Sequence, residues 1–406
     1  MDSPVVVVGI GADGWDGLSP SARREIESAE VLMGSARQLA LVATGAERVA
    51  WPSPLLPALP GLIEAYRDRR VCVVASGDPM FHGIGSTLIR LLGAENVRVL
   101  PSPSSVSLAC ARLGWPVEHT HVISLVGRPI STINAALRPG ERLLVLGATD
   151  PGVVAALLVD RGYGESTFTV LELLGARGEN IRRTTAAGWA IWGDSPDPLN
   201  IVAIECVASP GTTALPRVAG LPDDAFEHDG QLTKREVRAV TLGLLGTDGL
   251  LWDIGAGAGS IAIEWLRAHP TGTAVAVEHD PVRAARITKN AQNLGTPGLR
   301  VLTGSAPDIL RGLSAPPSTV FIGGGLTAPG LLQHCWAALR PGGRLVANAV
   351  TLESEAILTA WYGHLGGDLF RLAINRAAPI GDFTTWRPQL PVSIWSVTKP
   401  SEDLPR

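Results

Sequence analysis

The stretch Leu250-Leu251-Trp252-Asp253-Ile254-Gly255-Ala256-Gly257-Ala258-Gly259-Ser260 limits the fold of this chain more than any other. An apolar run ends near an acid, three glycines follow at alternate positions, and an apolar helical pattern starts at Ile261. That order predicts a buried strand, a tight turn and a helix start. Such a turn sets free N–H groups and the positive end of a helix dipole beside the strand's carboxyl end. Glycines there remove the Cβ atoms that would keep a ligand off the backbone.

Strands and helices alternate along most of the chain, which predicts an α/β fold with mostly parallel pairing. Val5 to Ile10, Val71 to Ala75, Val97 to Leu100, Val122 to Leu125 and Arg142 to Leu146 read as short buried strands. Ser19-Pro20, Asp150-Pro151 and Asp280-Pro281 each place a capping side chain before a proline at the first helical position. The segment Ala208-Ser209-Pro210-Gly211-Thr212-Thr213-Ala214-Leu215-Pro216 has no periodicity. It predicts a first domain over 1–207, a linker over 208–220 and a second domain over 221–406. A second α/β series then runs through expected strands at 250–254, 273–277, 299–302, 319–322 and 344–348. No internal repeat is evident.

Composition narrows the function. Hydrophobic residues make up 46% of the 406-residue chain and charged residues 18%, enough to bury large cores. The net charge of −4 argues against nucleic acid as a partner. The apolar run after Met1 is too short for a signal peptide, and no long unbroken apolar stretch predicts a membrane span. Cys72, Cys110, Cys206 and Cys335 are far apart, giving no metal site or disulfide framework and pointing to a reducing cytoplasm.

The spacing of the glycines separates two ligand classes. A dinucleotide site wants G-x-G-x-x-G, whereas here the glycines run G-x-G-x-G and Ser260 takes the last place. With Asp253 before the first glycine, the motif resembles class I S-adenosyl-L-methionine (SAM) methyltransferases. Glu278 follows the next expected strand, near the roughly 20-residue spacing at which an acid meets a ribose hydroxyl. An NAD site and a purely structural glycine turn remain alternatives at this point.

The wider block strengthens the resemblance. Leu221-Pro222-Asp223-Asp224-Ala225-Phe226-Glu227-His228, Gln231-Leu232-Thr233-Lys234-Arg235-Glu236, Phe321-Ile322-Gly323-Gly324-Gly325 and Arg340-Pro341-Gly342-Gly343 follow in order. Together they resemble precorrin methyltransferases that methylate carbon 15 and decarboxylate. The resemblance implies that Thr233, Gly255, Ala256, Gly257, Ala258, Gly259, Glu278 and Ala306 bind SAM. Thr233 also reads as an N-cap for a helix from Lys234 to Leu245, with Glu236 as its capping-box partner. Gly323 to Gly325 leave room for a flat, bulky substrate and offer no clamp for an amine.

The first half carries different marks. Ala75-Ser76-Gly77-Asp78-Pro79-Met80-Phe81-His82-Gly83 is followed by Pro101-Ser102-Pro103-Ser104-Ser105-Val106-Ser107 and Ala111-Arg112-Leu113-Gly114-Trp115-Pro116. Order and spacing resemble tetrapyrrole methylases, in particular those acting on carbon 5 of a precorrin. In that two-lobed fold SAM lies between the lobes, and the resemblance implies that Ser76, Gly77, Asp78, Phe81, Ser104 and Ser105 line its cleft. The earlier loop Gly9-Ile10-Gly11-Ala12-Asp13-Gly14 departs from the commoner G-x-G-P-G, with Ala12 and Asp13 in place of Pro and Gly.

Both halves together resemble the fused C5,15-methyltransferase (decarboxylating) family of cobalamin biosynthesis. The resemblance implies two SAM-dependent methylations of one precorrin, product S-adenosyl-L-homocysteine (SAH), and assembly as a homo-oligomer. No metal is required, because the macrocycle's own π-system takes up electrons. Arg238, Arg371, Arg376 and Arg387 are candidates for pairing with substrate carboxylates, and Glu353 for orienting substrate or moving a proton. A methyltransferase for another substrate, or a chain in which one half only binds SAM, are the rival readings.

Overall fold

Short, mostly apolar segments set the strands at the centre of each sheet. The computed structural model describes residues 4–192, 195–246 and 248–401. Residues 1–3 and 402–406, at the ends of the two expected domains, lie outside the described residues. The chain divides into two compact units, residues 1–128 with 138–214 and residues 129–137 with 215–406.

The first unit holds two sheets. β1 (Val5–Ile10), β2 (Val31–Gly34), β3 (Glu47–Ala50), β4 (Val71–Ser76) and β5 (Val97–Leu100) pair in the order β3-β2-β4-β1-β5, all parallel. β6 (His121–Ser124), β7 (Arg142–Leu146), β8 (Thr167–Glu172), β9 (Asn180–Thr185) and β10 (Asn200–Glu205) pair in the order β6-β7-β10-β8-β9. In this sheet only β6 and β7 are parallel; the pairs of β10 with β7 and β8, and of β8 with β9, are antiparallel. The expectation of mostly parallel pairing fails here for a topological reason. The short connection from β8 to β9 contains no crossover helix, and a parallel return needs one.

The second unit is built on β11 (Leu250–Ile254), β12 (Thr273–Glu278), β13 (Arg300–Thr303), β14 (Thr319–Ile322), β15 (Arg344–Ala349), β16 (Asp368–Leu372), β17 (Asn375–Ile380), β18 (Phe383–Pro388) and β19 (Val392–Thr398). Seven strands run in the order β13-β12-β11-β14-β15-β19-β16, with β19 antiparallel to both neighbours. β17 and β18 form a separate antiparallel hairpin. The order reverses between β11 and β14, so the carboxyl end of β11 lies at the switch point where open α/β sheets bind ligands. Neighbouring residues of β11 face opposite cores. Leu251 packs with Ile261, Ile263 and Phe321, and Trp252 packs with Val320, Leu331 and Leu345.

The three Pro-started helices are capped as expected. Ser19 Oγ accepts from the Ala22 amide, Asp150 from Gly152, and Asp280 from both Val282 and Arg283. No described helix is long and apolar enough to cross a membrane.

Candidate active sites

In the second unit the turn between β11 and the helix Ser260–Ala268 takes positive φ at Gly255 (68°), Gly257 (58°) and Gly259 (78°). The protein's own backbone also demands glycine there. A Cβ on Gly255 would lie 2.8 Å from the Gly324 backbone, and one on Gly257 would lie 2.7 Å from the Gln231 carbonyl oxygen. The sequence pattern suggests room for a ligand alone; the close approach of Gln231 and Gly324 adds a second cause.

These contacts gather much of the expected set around the loop. Glu278 ends β12 and is 3% exposed. Its Oε2 accepts from the Gly257 amide at 2.8 Å, and its Oε1 from the Asp280 amide at 3.1 Å. The Gly304 amide donates to the Glu278 carbonyl, which ties the loop bearing Ala306 to the same strand end. Asp253 is buried within the unit, and its Oδ2 accepts from the Ala262 amide at 3.0 Å. Among the described residues its Oδ1 has no partner, and burial pushes the carboxyl up to about 7, with Glu278 adding to the rise.

Thr233 does not cap the next helix. That helix spans Arg235–Leu244, and its flanking residue is Lys234, whose side chain makes no capping bond. The Thr233 carbonyl instead accepts from Arg238, and Glu236 pairs with Arg376 at 2.6 Å rather than closing a capping box.

Arg238 is removed from the substrate-binding candidates. Its side chain is fully buried, paired with Glu264 at 2.5 Å and Asp223 at 3.1 Å, and it also donates to the Leu221 carbonyl. With no exposed surface and four of its donors engaged, it offers no opening to a substrate carboxylate. Arg376 is held on Glu236, and Arg371 on Glu355 and Ser393. Arg387 sits opposite Arg376 in the β17–β18 hairpin. Glu353 is exposed in the first turn of the helix Leu352–Leu365 that follows β15.

The first unit contains a cavity of 370 Å³ lined from both of its sheets, within the size range of small-molecule sites. Ser76, Gly77, Asp78, Phe81, Ser104 and Ser105 all line it, as do Gly11 and Ala12 of the first glycine loop. Gly77 follows β4 at φ 54°, and its carbonyl accepts from the Ser102 amide, joining the two motif loops. Asp78 Oδ1 accepts from the Met80 amide at 2.8 Å and shapes the turn. Ser104 caps the helix Ser105–Leu113 by accepting from the Ser107 amide.

Sequence reasoning missed Arg37 and Gln38, which also line the cavity. The signal was present as Ser35-x-x-Gln38 after a short apolar run, a capping-box pattern. Among the described residues no cluster of three acidic, histidine or cysteine side chains forms a metal site.

Residues 4–189 match the family of Tetrapyrrole (Corrin/Porphyrin) Methylases, and residues 224–399 match the Precorrin methyltransferase domain. A precorrin-6Y C(5,15)-methyltransferase [decarboxylating] of Mycobacterium tuberculosis is 49% identical over 97% of this chain and 100% of its own length. Two shorter relatives come from Salmonella typhimurium. A cobalt-precorrin-7 C(5)-methyltransferase is 34% identical over 44% of this chain and 88% of its own length. A cobalt-precorrin-6B C(15)-methyltransferase (decarboxylating) is 31% identical over 41% of this chain and 89% of its own length. The two family matches cover most of the two halves of the chain, and one relative aligns across both, so the chain is a methyltransferase and belongs to the precorrin-6Y C5,15-methyltransferase (decarboxylating) family.

Proposed function

We propose that the first unit methylates carbon 5 of precorrin-6Y, and that the second methylates carbon 15 and releases the ring C acetate carboxyl as carbon dioxide, giving precorrin-8. The observation that carries this reading is the presence on one chain of a ligand-sized cavity in the first unit and, in the second, a glycine loop at the switch point of a sheet of different topology. Relatives with each single activity support it. The functional boundary lies in the linker 208–220.

The residues fit SAM at both places. In the second unit Gly255 to Gly259 and Glu278 hold it, with Thr233 and Ala306 beside it; the buried Glu278 carboxylate retains acceptor capacity for ribose hydroxyls. In the first unit Ser76, Gly77, Asp78, Phe81, Ser104 and Ser105 hold it in the cavity. When bound, SAM supplies an electrophilic methyl group. The nucleophile is an enamine-like meso carbon of the substrate, so the protein's main contribution is proximity and orientation, which can be worth several orders of magnitude. Gly323 to Gly325 leave the carboxyl end of the sheet without side chains where a macrocycle must approach.

In decarboxylation the electron pair of the breaking carbon–carboxylate bond enters the conjugated iminium system left by methylation at carbon 15. Glu353, exposed at the same end of the sheet, is the candidate to move the proton that completes the step. Four free, buried cysteines fit a reducing cytoplasm. The hairpin β17–β18 supports self-association, since Ile380, Phe383 and Trp386 are 60%, 79% and 70% exposed on it.

Mass spectrometry of precorrin-6Y incubated with the chain and methyl-labelled SAM tests the reading. Two labelled methyl groups and the loss of one carbon dioxide are expected. A single labelled methyl group would remove one unit from the scheme, and an unchanged substrate would remove the tetrapyrrole.

A further inference from the structure

Among the described residues three ionisable side chains line the cavity of the first unit: Arg37, Asp78 and His82. Arg37 is the one fixed positive charge among them. It sits in the short helix Ala36–Ala40, whose start is locked by a reciprocal pair. The Gln38 amide donates to Ser35 Oγ at 3.3 Å, and the Ser35 amide donates to Gln38 Oε1 at 2.8 Å. Gln38 is 8% exposed, so its side chain has few alternatives. Its Nε2 donates to Ser76 Oγ at 2.8 Å, and Arg37 Nη2 donates to the same oxygen at 2.7 Å.

One corner of the guanidinium is thereby pinned to the cavity wall. Among the described residues its other donors have no acceptor and no carboxylate pairs with it. Asp197 is the acid whose field reaches it, and the Asp197 Oδ1 already accepts from the Leu199 amide at 2.8 Å. Arg37 keeps an exposed side, and partial burial lowers its pKa from the ordinary value while Asp197 acts in the opposite sense. A partly desolvated guanidinium with spare planar donors is suited to a carboxylate, which it can grip through two parallel bonds.

We propose that Arg37 is the carboxylate-binding positioning residue of the first-unit cavity, held ready by Ser76 and Gln38 for a carboxylate of either the methyl donor or the tetrapyrrole. This rests on the function proposed above. The donor carries one carboxylate on its methionine part, and the macrocycle carries several on its acetate and propionate arms. Both sources present the same chemistry.

The test uses the full chain and its Arg37→Gln and Arg37→Lys variants. Calorimetric titration with SAH and with methylthioadenosine, which lacks the carboxylate, reads the donor arm. Labelled-methyl transfer to carbon 5, with transfer to carbon 15 as the internal control, reads the substrate arm. If the donor carboxylate is bound, Arg37→Gln weakens one SAH site roughly 10- to 100-fold and leaves methylthioadenosine unchanged. If a substrate carboxylate is bound, SAH binding holds and the KM for carbon-5 transfer rises by a similar factor. In either case Arg37→Lys, which keeps the charge, recovers part of the loss. Unchanged SAH binding together with unchanged carbon-5 transfer would overturn the proposal, as would a lysine variant as impaired as the glutamine one. A parent chain that transfers no methyl group to carbon 5 would overturn the proposed function instead, and the contrast between SAH and methylthioadenosine would then decide Arg37 by itself.

Discussion

Arg238→Ala should destabilise the second unit by about 3–5 kcal/mol. Arg238 is 0% exposed and joins four groups from three stretches of chain. It donates to Glu264 Oε1 at 2.5 Å and Asp223 Oδ1 at 3.1 Å, and also to the carbonyls of Leu221 and Thr233. Its Cζ lies 4.9 Å from the Phe226 ring centroid. Truncation leaves Glu264, 3% exposed, with only the Gly220 and Leu221 amides as donors, at 2.6 and 3.1 Å. Summing four charge-assisted bonds at about 1.5–3 kcal/mol each would give about 6–12 kcal/mol. That sum overstates the loss, because water and relaxation recover part of each bond. The dominant cost is one uncompensated buried charge, which sets the lower figure.

For a unit of this size the loss corresponds to a fall in Tm of roughly 6–20 °C. Calorimetry on the full chain measures it, and hydrogen exchange should show lost protection at Gly220 and Leu221. Replacing both partners, Arg238→Met with Glu264→Leu, should cost less than Arg238→Ala alone. A loss under about 1 kcal/mol, or a double variant less stable than the single one, would refute the reasoning.

Two other outcomes follow from the glycine loop. Gly257→Ala places a Cβ 2.7 Å from the Gln231 carbonyl at φ 58°, so carbon-15 transfer and carbon dioxide release should fall ~10-fold or more while carbon-5 transfer continues; product mass spectra check this, and loss of both transfers contradicts independent sites. Burial raises Asp253 from 3.8 to about 7, so its native carboxyl keeps a proton that the unfolded chain releases, and the associated stability is full below 3.8 and lost as pH rises through 7. Asp253→Asn, neutral throughout, should therefore gain stability over the parent chain between pH 4 and pH 8 in thermal melts, and a difference that does not change with pH counts against the assignment.

What could be read in advance was whatever is encoded locally. β1, β5, β7, β11 and β14 are short, mostly apolar segments, and their expected limits match the structure. Ser19, Asp150 and Asp280 act on amides two or three residues away, so their caps were visible as dipeptides. β9, Asn-Ile-Arg-Arg-Thr-Thr, was not legible, because its one apolar residue gives no run and pairing with β8 supplies the order. β17 and β18 were missed for a related reason: every residue of β18 is exposed, so neither core period is imposed on its sequence. The glycine loop was legible as a turn. That Gly255 meets Gly324 was not, since this contact joins strands that are neighbours only in the folded sheet. Arg238 illustrates the limit most sharply. A cation on a helix looks like a surface residue until Glu264, 26 positions later, folds against it.

The grip of Glu278 on the Gly257 amide has a kinetic consequence. Ordering a loop residue costs about 1–2 kcal/mol, and here that cost is incurred during folding. A ligand hydroxyl can use the carboxylate's remaining lone pairs without first reshaping the loop. For the donor binding proposed at this turn, capture should therefore be a single concentration-dependent step whose rate climbs linearly with ligand, with no slow plateau from a closing loop.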